Sequence, residues 1–206
     1  MNSNTIFVAL KRIKKTIDLN KDEIEKLDQA IGDGDHIFNI QRGLNEALKL
    51  EHELSNLSPE EVFKKIGMKI MTTVGGSSGA LFATLLMGMS KKYSKESNDL
   101  ENLAAMFYEG VEATKKRGKA DIGEKTMLDV LIPVSLLLNE LKNEKNIQTV
   151  AEKIKMVAEE GMLSTKDIIA TKGRASFLGE RAIGHIDPGA RSSQLAINAI
   201  CDEYIK

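Results

Sequence analysis

Helical periodicity along almost the whole chain, the lack of any useful alternating apolar–polar run, and only three prolines predict an all-α protein. The expected architecture is an antiparallel up-and-down helical barrel or bundle of about eight helices. With 42% hydrophobic and 29% charged residues among 206, the composition is that of a soluble domain able to close a sizeable core, and residues 1–206 read as one domain.

The elements follow in order. Ile6, Leu10, Ile13 and Ile17 repeat at helical spacing over 3–18, and shorter runs cover 21–30 and 37–52. Ser58, Pro59 and Glu61 supply an N-cap, an N1 proline and a capping-box acid for 59–73. An apolar helix spans 78–93. Asn98 with Glu101 opens 99–117, where Leu100, Leu103, Phe107, Val111 and Thr114 share a face. Thr126 and Asp129 make a box-like start to 126–142, inside which Pro133 should kink the helix. Val150, Ile154, Val157, Gly161, Thr165 and Ile168 mark 148–171, and 189–205 closes the set.

The connections are of two kinds. Those near 19–20, 53–58, 94–98 and 143–147 are plain polar turns, whereas IGDGDH, VGGSSG, RGKADIGEKT and KGRASFLGERAIGHIDPG are rich in glycine and chemistry. Plain and rich connections alternate, and an up-and-down bundle places every second connection at the same end. The four rich loops are therefore expected to meet there.

Bulk charge narrows the partners. With 29 basic and 30 acidic residues the net charge is −1, so no global field attracts nucleic acid or an anionic membrane. One cysteine, Cys201, excludes an internal disulfide and a cysteine-based zinc site. The first fifteen residues lack the basic-then-apolar order of a secretion signal, and Val130 to Leu138 is too short to span a bilayer. A cytoplasmic protein is the expectation.

The chemistry starts with LDQAIGDGDHIFNIQRG. Asp28, Asp33 and Asp35 crowd a helix C-terminus that already carries partial negative charge, so they repel it and one another unless a cation joins them. Hard oxygen donors without cysteine favour Mg²⁺, Ca²⁺ or Mn²⁺, while a solvated acidic loop is the plain alternative. An EF-hand is excluded: counted from Asp33, Phe38 stands where that loop needs glycine and Leu44 where it needs glutamate. His36 and Asn39 open the next helix, as local caps or as phosphate contacts. Gly76, Ser77 and Ser78 offer backbone N–H groups and hydroxyls to an anion, or small surfaces for helix packing. It is no Walker A loop, for no GK[ST] follows. Arg174 fits a phosphate clamp or a surface ion pair, and Asp187, Pro188 and Gly189 form a rigid turn before the last helix.

Taken in order and spacing, IGDGDH with RG beyond it, VGGSSG, KRGKADIGEKTMLD and KGRASFLGERAIGHIDPGARSS resemble the DhaL family, nucleotide-binding subunits of phosphoenolpyruvate-dependent dihydroxyacetone kinases. The likeness spans about residue 5 to the C-terminus. It implies an all-helical barrel holding ADP and two Mg²⁺ ions at one end, with ADP retained as a coenzyme. A phosphocarrier M subunit of the phosphotransferase system rephosphorylates that ADP, and the ATP formed phosphorylates dihydroxyacetone on a separate K subunit.

By motif, Asp28, Asp33 and Asp35 become the magnesium ligands. His36, Ile37, Phe38 and Asn39, then Gly76, Ser77 and Ser78, fall to the phosphates; Gly118, Thr126, Met127, Arg174, Asp187, Pro188 and Gly189 hold the rest of the nucleotide. Met127 suits an adenine face, as a thioether packs well on an aromatic ring. No residue is assigned as catalytic, since phosphoryl transfer chiefly needs positioning and charge neutralisation. ADP at about −3 and three carboxylates against two Mg²⁺ leave about −2 for Arg174, helix dipoles and amides to offset.

Two positions depart from the family: Ile37 stands where glycine is common, and Ala80 where proline is common. A β-branched residue at 37 is expected to narrow the backbone beside the phosphates and weaken nucleotide binding. The alternatives are an ATP-exchanging kinase subunit for another small ketone or lipid, and a regulatory paralogue that docks to a transcription regulator. A homodimer is a further partner state compatible with the sequence.

Overall fold

A computed structural model describes residues 1–205. Its elements are α1 (Ser3–Leu19), α2 (Lys21–Ile31), α3 (His36–Leu48), a single turn α4 (Glu51–Leu54), α5 (Pro59–Thr73), α6 (Gly76–Met89), α7 (Asp99–Gly118), α8 (Leu128–Glu140), α9 (Ile147–Ser164), a 3-10 segment (Arg174–Ala182) and α10 (Pro188–Cys201). The all-α expectation holds, with no strand among the described residues.

Eight helices close a ring: α1 packs on α3, α3 on α5, and so on through α6, α7, α8, α9 and α10 back to α1. The main core lies between α5, α6, α7 and α8 and includes Phe63, Ile66, Met106 and Leu131; a second cluster joins α8, α9 and α10 through Val134, Ile154 and Ala190.

The alternation of loops is right for four helix pairs and wrong at the first turn. The start of α1 lies at the plain end, where Ser3 Oγ donates to the Ser55 carbonyl and the N-terminal ammonium pairs with Asp99. The turn at 19–20 therefore belongs to the opposite, glycine-rich end. There α2 lies over the ring rather than in it, packed on α3, α10 and the 3-10 segment. Arg191 fastens it, giving Nε and Nη2 to the two Glu23 oxygens at 2.9 Å each. A local pattern reports which face of α2 is apolar but not which way the helix runs.

Four expected helices are too long: 78–93 stops at Met89 and 189–205 at Cys201. The run 37–52 breaks after Leu48 into α4. The run 148–171 ends at Ser164, because the carbonyls of Thr165 and Lys166 turn to the ammonium of Lys125. The 3-10 segment that follows went unforeseen. Inside α8, Pro133 has no N–H to offer the Asp129 carbonyl. That carbonyl faces Gly161 of α9, where a Cβ would come within 2.3 Å, so the glycine lets the two helices meet.

Candidate functional site

All four rich loops converge. Arg174 Nε lies 2.9 Å from Asp33 Oδ2, linking the fourth loop to the first. Asn39 and Asp35 border Gly76 of the second loop, and Gly189 of the fourth sits against Met127 of the third. The expected meeting of loops is thus observed.

Asp28, Asp33 and Asp35 each bring a carboxylate oxygen within 4.8 Å of the others. Asp28 is buried at 4% exposure, whereas the other two are exposed. One Asp28 oxygen accepts the His36 N–H at 2.9 Å. The other sits where Gly32 would carry a Cβ, only 1.9 Å away, so a side chain at 32 would displace the carboxylate. A single buried acid with two exposed ones at this spacing suits a hard divalent cation approaching from solvent.

Two helix N-termini open beside these acids. Neither α3 nor α6 has a side-chain cap, and the N–H groups of Ile37, Phe38, Ser77 and Ser78 have no acceptor among the described residues. Gly76 holds φ +75, which glycine adopts at no steric cost. A Cβ there would stand 3.0 Å from Asn39 Nδ2, a buried amide nitrogen without a hydrogen-bond partner. Such an orphaned donor beside free amides and dipole ends is fit for a phosphate. The donor set therefore fits both groups that the resemblance implies, magnesium and a nucleotide phosphate.

His36 is buried, and its Nε2 lies 3.0 Å from Ser192 Oγ of α10. Burial pushes its imidazole below the usual range, opposed by Asp28 and by a hydrogen bond to the Pro188 carbonyl. The ring thus joins the acidic loop to the last helix. Ile37 is 0% exposed and packs with Ile17, Ile24 and Leu195. The expected narrowing at this position does not occur: the side chain points into the core, and the backbone is regular helix with its N–H open. Phe38, by contrast, is half exposed.

The third loop is satisfied from within. Asp129, buried, accepts the N–H groups of Gly123 at 2.6 Å and Thr126 at 2.7 Å, while Thr126 Oγ1 accepts from Leu128 N at 3.1 Å, the box-like start read from the sequence. Met127 is buried in the main core at 6% exposure. Gly118 ends α7, lying beside Leu81. Asp187 caps α10 by accepting Ala190 N at 2.7 Å, Pro188 follows at N1, and burial pushes the Asp187 carboxyl up to about 7. Arg174 is largely exposed and pairs with Asp33.

Sequence reasoning missed Lys125 as well as the Arg191 and Ser192 contacts. Lys125 lies inside KRGKADIGEKTMLD, but no periodicity or cap signal marks a lysine that will be buried.

Comparison with known proteins agrees with this geometry. Residues 30–202 match the DAK2 domain family. The ADP-binding subunit DhaL of a PEP-dependent dihydroxyacetone kinase from Listeria innocua is 46% identical over 181 residues, covering 88% of this chain and 86% of that protein. Its counterpart in the PTS-dependent kinase of Lactococcus lactis is 44% identical, covering 92% of each chain. The crystal structure of the C. freundii dihydroxyacetone kinase in complex with AMP-PNP and Mg²⁺ superimposes with a TM-score of 0.71 at 26% identity, over 96% of this chain and 33% of that one. Four loops at one end of an eight-helix ring, with these relatives across nearly its whole length, place the chain in the DhaL family of DAK2-domain proteins.

Proposed function

We propose that this chain is the ADP-binding subunit of a cytoplasmic, phosphotransferase-system-dependent dihydroxyacetone kinase. The observation that carries the reading is the cluster of Asp28, Asp33 and Asp35 beside two uncapped helix N-termini and the orphaned Asn39 amide. The three carboxylates would hold magnesium, two ions by the family's pattern. The α3 and α6 amides with Asn39, Ser77 and Ser78 would hold phosphates. When bound, magnesium neutralises phosphate charge while ADP accepts a phosphoryl group and, as ATP, yields it to dihydroxyacetone. The chain's own part is to bind and orient. By the family's pattern Gly118, Thr126, Met127, the 187–189 turn and Arg174 would hold the remainder of the nucleotide.

The rim favours protein partners. Phe38, Ile122, Ile169, Phe177 and Ile183 are exposed on or beside the rich loops, Phe177 at 82%. Apolar groups around a polar site suit the docking of a K subunit and of an M-type phosphocarrier, each of which must bring a reacting group to the bound nucleotide.

Native mass spectrometry of protein purified and desalted in Mg²⁺ without added nucleotide tests the reading. A dominant species carrying ADP and two magnesium ions is the expected result. Protein that arrives without nucleotide and exchanges added ATP freely would overturn the coenzyme reading in favour of an ATP-exchanging kinase.

A further inference from the structure

Lys125 takes no part in the function just proposed, yet it is buried at 1% exposure in the third loop. Its ammonium donates to the Thr165 carbonyl and to that of His185 at 2.6 Å, and reaches that of Lys166 at 3.4 Å. The carboxylates of Asp187, Asp167 and Asp129 act on it across space. Three carbonyl oxygens thus enclose a tethered cation.

The backbone shows that the side chain is what the position requires. Lys125 holds φ +62, a left-handed conformation that a residue with a Cβ enters only at a cost. Glycine would adopt it freely, as Gly123 does nearby at +83. A lysine kept at such an angle must be held by its far end.

Its carbonyl partners stand at the two feet of one segment. Thr165 and Lys166 lie where α9 stops, and His185 lies two residues before Asp187. Between them runs the loop that carries Arg174 and the exposed Ile169, Phe177 and Ile183. Lys125 itself directly precedes Thr126 and Met127, so one ammonium pins both feet of the fourth loop to the third.

We propose that Lys125 is a positioning residue for the nucleotide: by fixing both feet of the 165–187 segment, it sets how slowly bound Mg·ADP leaves. The proposal rests on the nucleotide reading above. It touches neither phosphate nor metal, and acts through the loop it anchors.

The test follows release of a fluorescent ADP analogue from the full chain, together with amide hydrogen exchange across 165–187. Lys125→Met should release the analogue about 10-fold faster or more and lose protection in 165–187, with Mg²⁺ binding at the acidic loop unchanged. Lys125→Gly, which relieves the backbone angle, should regain protection and slow release when methylammonium is supplied. A lysine that merely stabilised the fold would, in Lys125→Met, lose protection across the whole chain and not in 165–187 alone. Wild-type release and exchange in Lys125→Met, or a Lys125→Gly indifferent to methylammonium, would overturn the proposal. Should Lys125→Met not fold, the Lys125→Gly pair of measurements decides alone. Wild-type protein that binds no ADP analogue would sink the nucleotide reading and with it the release arm, while exchange of the nucleotide-free chain still decides whether Lys125 braces the loop.

Discussion

Every ring helix that starts at the plain end of the barrel carries a side-chain cap, whereas at the glycine-rich end α10 is capped by Asp187 but α3 and α6 are not. At the plain end, Asn2, Ser58, Asn98 and Asn146 each accept an N–H from the first turn of α1, α5, α7 and α9, and Ser58 and Asn98 complete capping boxes with Glu61 and Glu101. At the other end, α3 follows Asp35 and α6 follows Gly75, and neither has a side-chain cap. Capping is worth about 1 kcal/mol per helix, so its omission in two helices that point at one acidic cluster leaves donors free for a ligand. Within the glycine-rich end the acids divide too. Asp129 and Asp187 spend their oxygens on backbone N–H groups, whereas Asp33 and Asp35 accept none and pair, at most, with Arg174.

The contrast can be broken by experiment. The largest effect is expected from Ile37→Gly, which restores the glycine common in the family. Because Ile37 lies wholly in the core, chemical denaturation should register a loss of about 3–5 kcal/mol, and calorimetry should find no gain in ADP affinity for whatever remains folded. Tighter binding would mean that the side chain does obstruct the phosphate amides.

Next come Asp33→Asn and Asp35→Asn. Each should weaken Mg²⁺ and ADP together by about 100-fold, or roughly 2.7 kcal/mol, with thermal stability little changed, since both acids are exposed. Unchanged ADP retention in both variants would remove the metal assignment. The smallest effect belongs to the capped end. Ser58→Ala should cost about 1 kcal/mol of stability and leave nucleotide binding as it was; a change in ADP affinity there would show that the two ends are not independent.

The carboxylate cluster and the glycine turns were legible because their signal is local: three acids within eight residues at a helix end repel one another wherever the chain takes them. Thr126 with Asp129 and Ser58 with Glu61 were legible for the same reason, each being a contact across three residues. Arg174 could only be offered two roles, since its partner Asp33 is remote in sequence. The burial of Ile37 was not legible, because a family pattern says which residue is common at a position, not which way this side chain turns.

By itself, then, the sequence determined the helices, their starts, the grouping of chemistry into four loops, and the acids that fit a cation. Helical periodicity and capping depend on neighbours within one turn, so they survive without knowledge of the fold. Only the tertiary structure decided that α2 lies over the ring, that α9 stops at Ser164, and that Lys125 is enclosed by carbonyls from Thr165, Lys166 and His185. Those outcomes depend on closure of the barrel, which brings a buried cation to acceptors 40 to 60 residues away, and no local pattern encodes such a meeting.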